Sequence, residues 1–386
     1  MKRLEKIFEK DILDKRERVM RALNFQPLDR VPLHDQLSFN AEVIRDITGR
    51  QVSGYDYRYE DICEAIRLSL DACFPPVAPR GVERFTDEDG FVIQNDNWNV
   101  AIVSRPFSDV QGAKAYLGEK ADQMRHTRYD AEQDRRRYHA EMRCLQQLIG
   151  ETVIIDYPVG TGFCDCWSKL GLELFSYVYA DDPALVTEFI MAVTESSLRR
   201  VEAIADPSLV PVALIAEDFA SKGGPIFSPA LLRQVHFPQV QRLTEAWQRK
   251  GLKVIYHSDG NWKAVIPDLI DCGVDGFYCL EPALGMDLLE LRKTWQSHTW
   301  MGGIDGVDLM ERGSPAQVRE AVRLQILETG ALEHGGVFIG TSSEVNPPIK
   351  AENYRAMVEA VGEVRNESFH GRDEQDRLDS ERGQVG

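Results

Sequence analysis

Leu252-Lys253-Val254-Ile255-Tyr256-His257-Ser258-Asp259-Gly260 reads as a strand that delivers a histidine and an acid into a tight turn. Residues 252–256 are apolar and β-branched enough for a strand buried on both faces, and Gly260 closes the turn. The same pattern recurs along the chain. Val212-Ala213-Leu214-Ile215-Ala216 runs into Glu217-Asp218, Phe277-Tyr278-Cys279-Leu280 into Glu281, and Met301-Gly302-Gly303-Ile304 into Asp305. Val337-Phe338-Ile339-Gly340 leads into Thr341-Ser342-Ser343-Glu344, and Val153-Ile154-Ile155 into Asp156. In a parallel α/β barrel all strands open their C-terminal ends on one face, so these groups are expected to converge. Convergent carboxylates and a histidine point to an enzyme that holds a metal ion.

The alternation around these strands supports that reading. Expected strands at 152–156, 211–216, 252–256, 276–280, 299–304 and 336–340 are separated by helical segments, as a parallel sheet requires. One helix has clear punctuation, with Ser228 as N-cap, Pro229 at the first position and Gly251 at the far end. Upstream, helices are expected over 11–26 and 57–73, with a short strand at 31–33 ending in His34-Asp35. Residues 85–104 carry a hairpin signal around Asp87-Glu88-Asp89-Gly90, and 119–149 are helical in composition. The expected fold is α/β: one (β/α)8 TIM-type barrel domain over 1–365, with an N-terminal helical extension and a β-hairpin insertion. A mobile polar tail is expected over 366–386. A doubly wound open sheet is the structural alternative.

Bulk properties bound the function. A chain of 386 residues suits one large barrel or two ordinary domains, and 43% hydrophobic with 28% charged residues is an ordinary globular balance. A formal net charge of −17 argues against nucleic acid or an anionic membrane surface as partner. Seven scattered cysteines with no CxxC pair fit free thiols in a reducing, cytoplasmic setting. The first residues are too densely charged for a signal-peptide core, and no apolar run reaches membrane-spanning length.

His257 and Asp259, two apart past a strand, suit Zn²⁺, with the third ligand to come from Glu217, Asp218, His236 or Glu344. A histidine in this place also serves as a structural hydrogen-bonding residue, and both readings stand. Glu217-Asp218 is a candidate acid–base pair, with Glu217 put ahead of Asp218; the competing reading is a loop cap and a solvated acid. Asp305, flanked by glycines that admit a ligand, is a third catalytic candidate, and Asp156 stands in a similar setting as a substrate-binding one. Ser342 and Ser343 supply hydroxyls for a polar substrate group. Glu344 is a candidate ligand or base, against the reading that it caps the next helix. Gly160-Thr161-Gly162 lacks the rest of a dinucleotide fingerprint, and Cys164-Asp165-Cys166 lacks partners for a metal. Trp98, Trp167 and Trp262 are read either as an aromatic pocket or as packing.

The chain resembles the uroporphyrinogen decarboxylase superfamily from about residue 18 to 364. The likeness rests on Arg21-Ala22-Leu23 before Asp29-Arg30-Val31-Pro32, on segment 226–238 and on His257-Ser258-Asp259-Gly260-Asn261. It continues through Gly302-Gly303-Ile304-Asp305 and a C-terminal segment from Pro347-Pro348 to Ala360. The resemblance implies a TIM-type barrel and two classes of activity. True decarboxylases of the superfamily use an arginine-rich motif near the first strand, whereas residues 31–40 here hold no arginine. The acidic mouth also repels a polyanionic substrate. The other branch comprises zinc-dependent methyltransferases that exchange methyl groups with a corrinoid protein, their thiol-using members carrying His-x-Cys-Gly and a later Cys. Here His257 matches the histidine, Asp259 stands at the first cysteine, and the later cysteine is absent near Ser343-Glu344. What the resemblance implies is a zinc site with His257 as ligand and with Asp259 and Glu344 as further ligands or as residues that orient the ligands. It implies methyl transfer between a small O- or N-methylated substrate and a corrinoid on a partner protein, with Glu217 or Asp218 as proton donor. A lyase or decarboxylase working without corrinoid, and a non-catalytic barrel binding a metal or partner, are the alternatives.

Overall fold

Alternation of packing partners along the longer strands fixes how this chain closes on itself. Residues 4–369 are described by a computed structural model. Eight parallel strands lie in sequence order: β1 (His34–Asp35), β2 (Ala72–Cys73), β3 (Val153–Asp156), β4 (Val212–Ala216), β5 (Lys253–His257), β6 (Gly276–Tyr278), β7 (Thr299–Ile304) and β8 (Val337–Thr341). Val153, Ile155, Val212, Leu214, Ile255, Tyr278, Met301 and Phe338 pack into one interior cluster. Their strand neighbours Ile154, Ala213, Ile215, Val254, Tyr256, Phe277, Trp300, Val337 and Ile339 pack outward with the helices. That alternation is the layered filling of a barrel. Val19, Ala22 and Leu23 of the helix Lys15–Leu23 join the interior cluster and plug the end opposite the mouth.

The ring closes between β1 and β8. Leu33 bridges Ile339 in parallel, Ile339 N donates to Pro32 O at 3.0 Å, and Thr341 Oγ1 meets Asp35 Oδ1 at 2.5 Å. A Cβ on Gly340 would lie 2.0 Å from His34 O, so only glycine lets the two edges meet. Closure rules out the doubly wound open sheet.

Several expectations are corrected in detail. The first strand is His34–Asp35 rather than 31–33. The helix expected over 57–73 is Tyr59–Ser69, and β2 occupies its last expected turn. The hairpin is a three-stranded antiparallel sheet, Val82–Thr86, Val92–Asp96 and Asn99–Ser104, because Asn97 at φ +54° makes a second tight turn. The segment 119–149 divides into helices Val110–His126 and Ala131–Ile149. Residues 366–369 of the expected tail still pack on the barrel, with Asn366 N donating to Asp29 O at 3.0 Å; residues 370–386 lie outside the described residues.

The end remote from the mouth is held by charge. Arg18 and Arg30, both buried, grip Asp71 at 2.8 and 2.6 Å, and Arg18 also holds Asp29 at 2.7 Å. Burial opposes ionisation of Asp71, but the two guanidiniums prevail and hold its carboxyl well below the usual range. Asp71 Oδ2 further accepts Leu33 N at 2.8 Å, which ties the network to the entry of β1.

Candidate active site

Strand parity decides which strand-end residues face the mouth. Counting by twos from interior Ile255 puts His257 inside and, past the strand, Asp259 on the same side; counting from interior Leu214 does the same for Asp218. His257 Nε2 lies 3.6 Å from Asp218 Oδ1 and 3.9 Å from Asp259 Oδ1. Asp218 Oδ1 also accepts Asp259 N at 2.9 Å, so this carboxylate holds the loop while standing beside the ring. The His257 ring lies against Tyr278, centroids 5.2 Å apart, and Tyr278 Oη donates to Ser343 O at 3.0 Å. His257 Nδ1 is buried without a hydrogen-bond partner.

Cys279, one residue past β6, completes this group. Its Sγ meets Asp259 Oδ1 at 3.4 Å, and donor atoms of His257, Asp259 and Cys279 all lie within 4.8 Å of one another. Burial, then the Asp259 and Glu281 carboxylates, push the Cys279 thiol up. A strand expected over 276–280 points to Glu281; the observed strand ends at Tyr278, which leaves Cys279 at the mouth. Glu281 accepts Gly260 N at 2.8 Å, and burial with Asp259 and Asp305 nearby raises its carboxyl. Glu344 is half-buried, and burial followed by the charge of Asp259 raises its carboxyl too. Gly260 at φ +84° lets the loop turn: a Cβ there would meet Ala220 C and Ser221 O at 2.9 Å.

The remaining expected site residues are turned outward or already hydrogen-bonded. Glu217 has the opposite parity to Asp218 and turns outward, which corrects its placement at the mouth. Its Oε1 accepts the Thr161 hydroxyl at 2.7 Å and its Oε2 accepts Cys164 N at 2.7 Å. Burial pushes this carboxyl up to about 7 against those hydrogen bonds. His236 lies behind the same wall, Nε2 at 2.7 Å from Tyr256 Oη, and burial pulls its ring down to about 3. Asp156, also outward, accepts Tyr138 Oη at 2.7 Å and so anchors the helix Ala131–Ile149. Asp305 caps the helical turn Gly306–Glu311, accepting Val307 N at 3.0 Å and Asp308 N at 2.6 Å. Ser342 Oγ accepts Gly306 N at 3.0 Å, and the Ser343 carbonyl is taken by Tyr278 and Thr341. Trp167 Nε1 donates to Asp218 O at 2.9 Å, whereas Trp262 is fully buried and Trp98 lies in the turn of the three-stranded sheet.

Beneath the mouth sits a histidine that the sequence reading noted only as a strand end. His34 is buried with neither ring nitrogen partnered, edge-on to Phe74 at 4.6 Å and Tyr278 at 5.2 Å, and burial lowers its ring to about 3.

Comparison with known proteins sets the frame. A methyltransferase from Methanosarcina mazei superposes with a TM-score of 0.64 at 18% identity, covering 91% of this chain and 99% of that one, which establishes a shared fold. A 2,3-dimethylmalate lyase of the PEP mutase/isocitrate lyase superfamily aligns over 97% of this chain and 100% of its own at 14% identity. Its TM-score is 0.35. No curated protein matches. Residues 168–364, just over half of the chain and the part that holds Asp218, His257, Asp259 and Cys279, match the sequence model of the uroporphyrinogen decarboxylase (URO-D) family. With the barrel, the mouth and that match in agreement, the chain belongs to the uroporphyrinogen decarboxylase family.

Proposed function

We propose that this protein is a methyltransferase that moves a methyl group between a small O- or N-methylated substrate and a corrinoid carried by a partner protein, with zinc at the barrel mouth. The observation that carries the reading is the convergence of His257 and Asp259, backed by Asp218, at the end of β5. Among the described residues, Asp218, Asp259, Glu281, Asp305 and Glu344 make no ion pair with lysine or arginine, so the mouth does not suit a polycarboxylate. Family membership and the barrel shared with a methyltransferase are consistent with it.

An ether or amine methyl is a poor electrophile because its leaving group is basic. Bound zinc supplies Lewis acidity to that leaving atom. His257 and Asp259 would hold the ion; Asp218 fixes the loop that carries Asp259, and Tyr278 packs against the His257 ring. Glu344, a half-buried carboxyl just past β8, is the candidate proton donor in place of Glu217, which turns away from the mouth to Thr161 and Cys164. The cytoplasmic setting fits seven unbridged cysteines. Among the described residues no helix is long and apolar enough to cross a membrane.

The test is a spectroscopic assay of zinc-loaded protein with reduced corrinoid protein and a panel of methoxyarenes and methylamines. Growth of the methyl-corrinoid spectrum with one donor supports the proposal. Turnover of a donor with no corrinoid present, or none across the panel, overturns it.

A further inference from the structure

Resting on the metal reading above, we infer that the third protein ligand is the Cys279 thiolate on β6, and not Glu344. β6 is hydrogen-bonded beside β5, and the register sets Tyr278 against His257, so the residue after Tyr278 emerges next to the His257–Asp259 turn. Cys279 is buried there, with its Sγ 3.4 Å from Asp259 Oδ1, itself 3.9 Å from His257 Nε2. Zinc bonds of roughly 2.0–2.3 Å in a tetrahedron set ligand atoms about 3.3–3.8 Å apart. Two edges of the triangle already fall near that spacing, and all three within 4.8 Å.

The alternatives are less free. His257 has no committed hydrogen bond, since Nδ1 is unpartnered and Nε2 stands beyond hydrogen-bond distance of both acids. Glu281 and Glu344 both stand outside the three-residue group, and Glu281 Oε1 is taken by Gly260 N. On binding, the Cys279 thiol releases its proton to solvent, and one carboxylate plus one thiolate balance the charge of the ion. A neutral imidazole, a carboxylate and a thiolate form a softer set than the all-oxygen-and-nitrogen site expected from the sequence, and one that selects zinc. The fourth position stays open for the leaving atom.

Full-length apoprotein is loaded with Co²⁺ and its near-ultraviolet absorption recorded, with zinc stoichiometry measured in parallel. Wild type is expected to take up the metal and show a thiolate-to-cobalt charge-transfer band. Cys279→Ser should lose the band, while Glu344→Gln keeps it along with stoichiometric zinc. Cobalt bound by wild type without a thiolate band overturns the ligand assignment and leaves the metal reading standing, as does a band that persists in Cys279→Ser. Wild type that takes up neither metal overturns both. The wild-type spectrum needs no mutant to fold, and circular dichroism identifies a variant that fails to.

Discussion

Asp218 Oδ1 accepts the backbone N–H of Asp259 at 2.9 Å while standing 3.6 Å from His257 Nε2, so a residue on one strand end positions the ligand-bearing loop of the next. Removing such an orienting carboxylate typically costs 10–100-fold in metal affinity, by about that factor here. Asp218→Ala is therefore expected to bind zinc that much more weakly with little change in unfolding midpoint. Competition titration against a chromophoric chelator measures it; unchanged affinity would falsify the orienting role.

Gly260→Ala probes the turn itself. The new methyl would press on Ala220 and Ser221 in a backbone of positive φ, a strain of about 1–3 kcal/mol. The expected result is a lower denaturation midpoint together with weakened zinc binding, because relief of the strain displaces Asp259. Urea melts of apoprotein and zinc titrations read the two effects separately.

The buried titratable groups give a signed dependence on pH. His34 and His236 refuse protons in the fold down to about 3, whereas their unfolded forms take them up near 6.5. Their contribution to stability is present above 6.5 and is lost as pH falls. Glu217 and Asp35 act in the opposite sense: burial raises both to about 7, so their contribution is full at low pH and is lost as pH rises toward 7. Between about pH 4.5 and 6.5, His34→Phe should tilt the stability curve downward with rising pH relative to wild type, and Glu217→Gln upward. Each tilt is about 1.4 kcal/mol per pH unit. Denaturant midpoints at several pH values test the signs, and equal slopes for all three proteins would sink the account.

Asp71→Ala takes from the buried Arg18 and Arg30 one of the two carboxylates they share, Asp11 being the other, so the loss should fall at the lower end of about 3–5 kcal/mol. Since this network lies at the end opposite the mouth, zinc binding by the folded fraction should not change. Thermal melts and zinc stoichiometry at low temperature check the two halves of that expectation.

The barrel was legible because strands 3 to 8 are uninterrupted apolar runs bounded by polar turns, a pattern that burial on two faces imposes. β2 was not legible: two residues, Ala72-Cys73, continue the apolar face of the helix before them, and only their pairing with His34-Asp35 on one side and Val153-Ile154 on the other makes them a strand. At the site, His257 and Asp259 were named from local sequence alone, and the structure brings them side by side. Glu217 was preferred over Asp218, although the period of two counted from Leu214 separates them; what no local pattern reveals is Thr161, 56 positions away, to which Glu217 turns. Cys279 was hidden by reading its strand two residues too long.

The seam between β1 and β8 has a consequence for how the protein comes into being. Asp35 and Thr341 are 306 positions apart, and β1 has a partner on only one side until β8 reaches it. Bringing such distant segments together costs loop entropy before any contact rewards it, so closure is a late event in folding. During synthesis the first strand must wait, half-paired, while the ribosome delivers the last. The mouth residues of β4, β5 and β6 are made long before the ring that gathers them, and the site is therefore among the last features the chain can assemble.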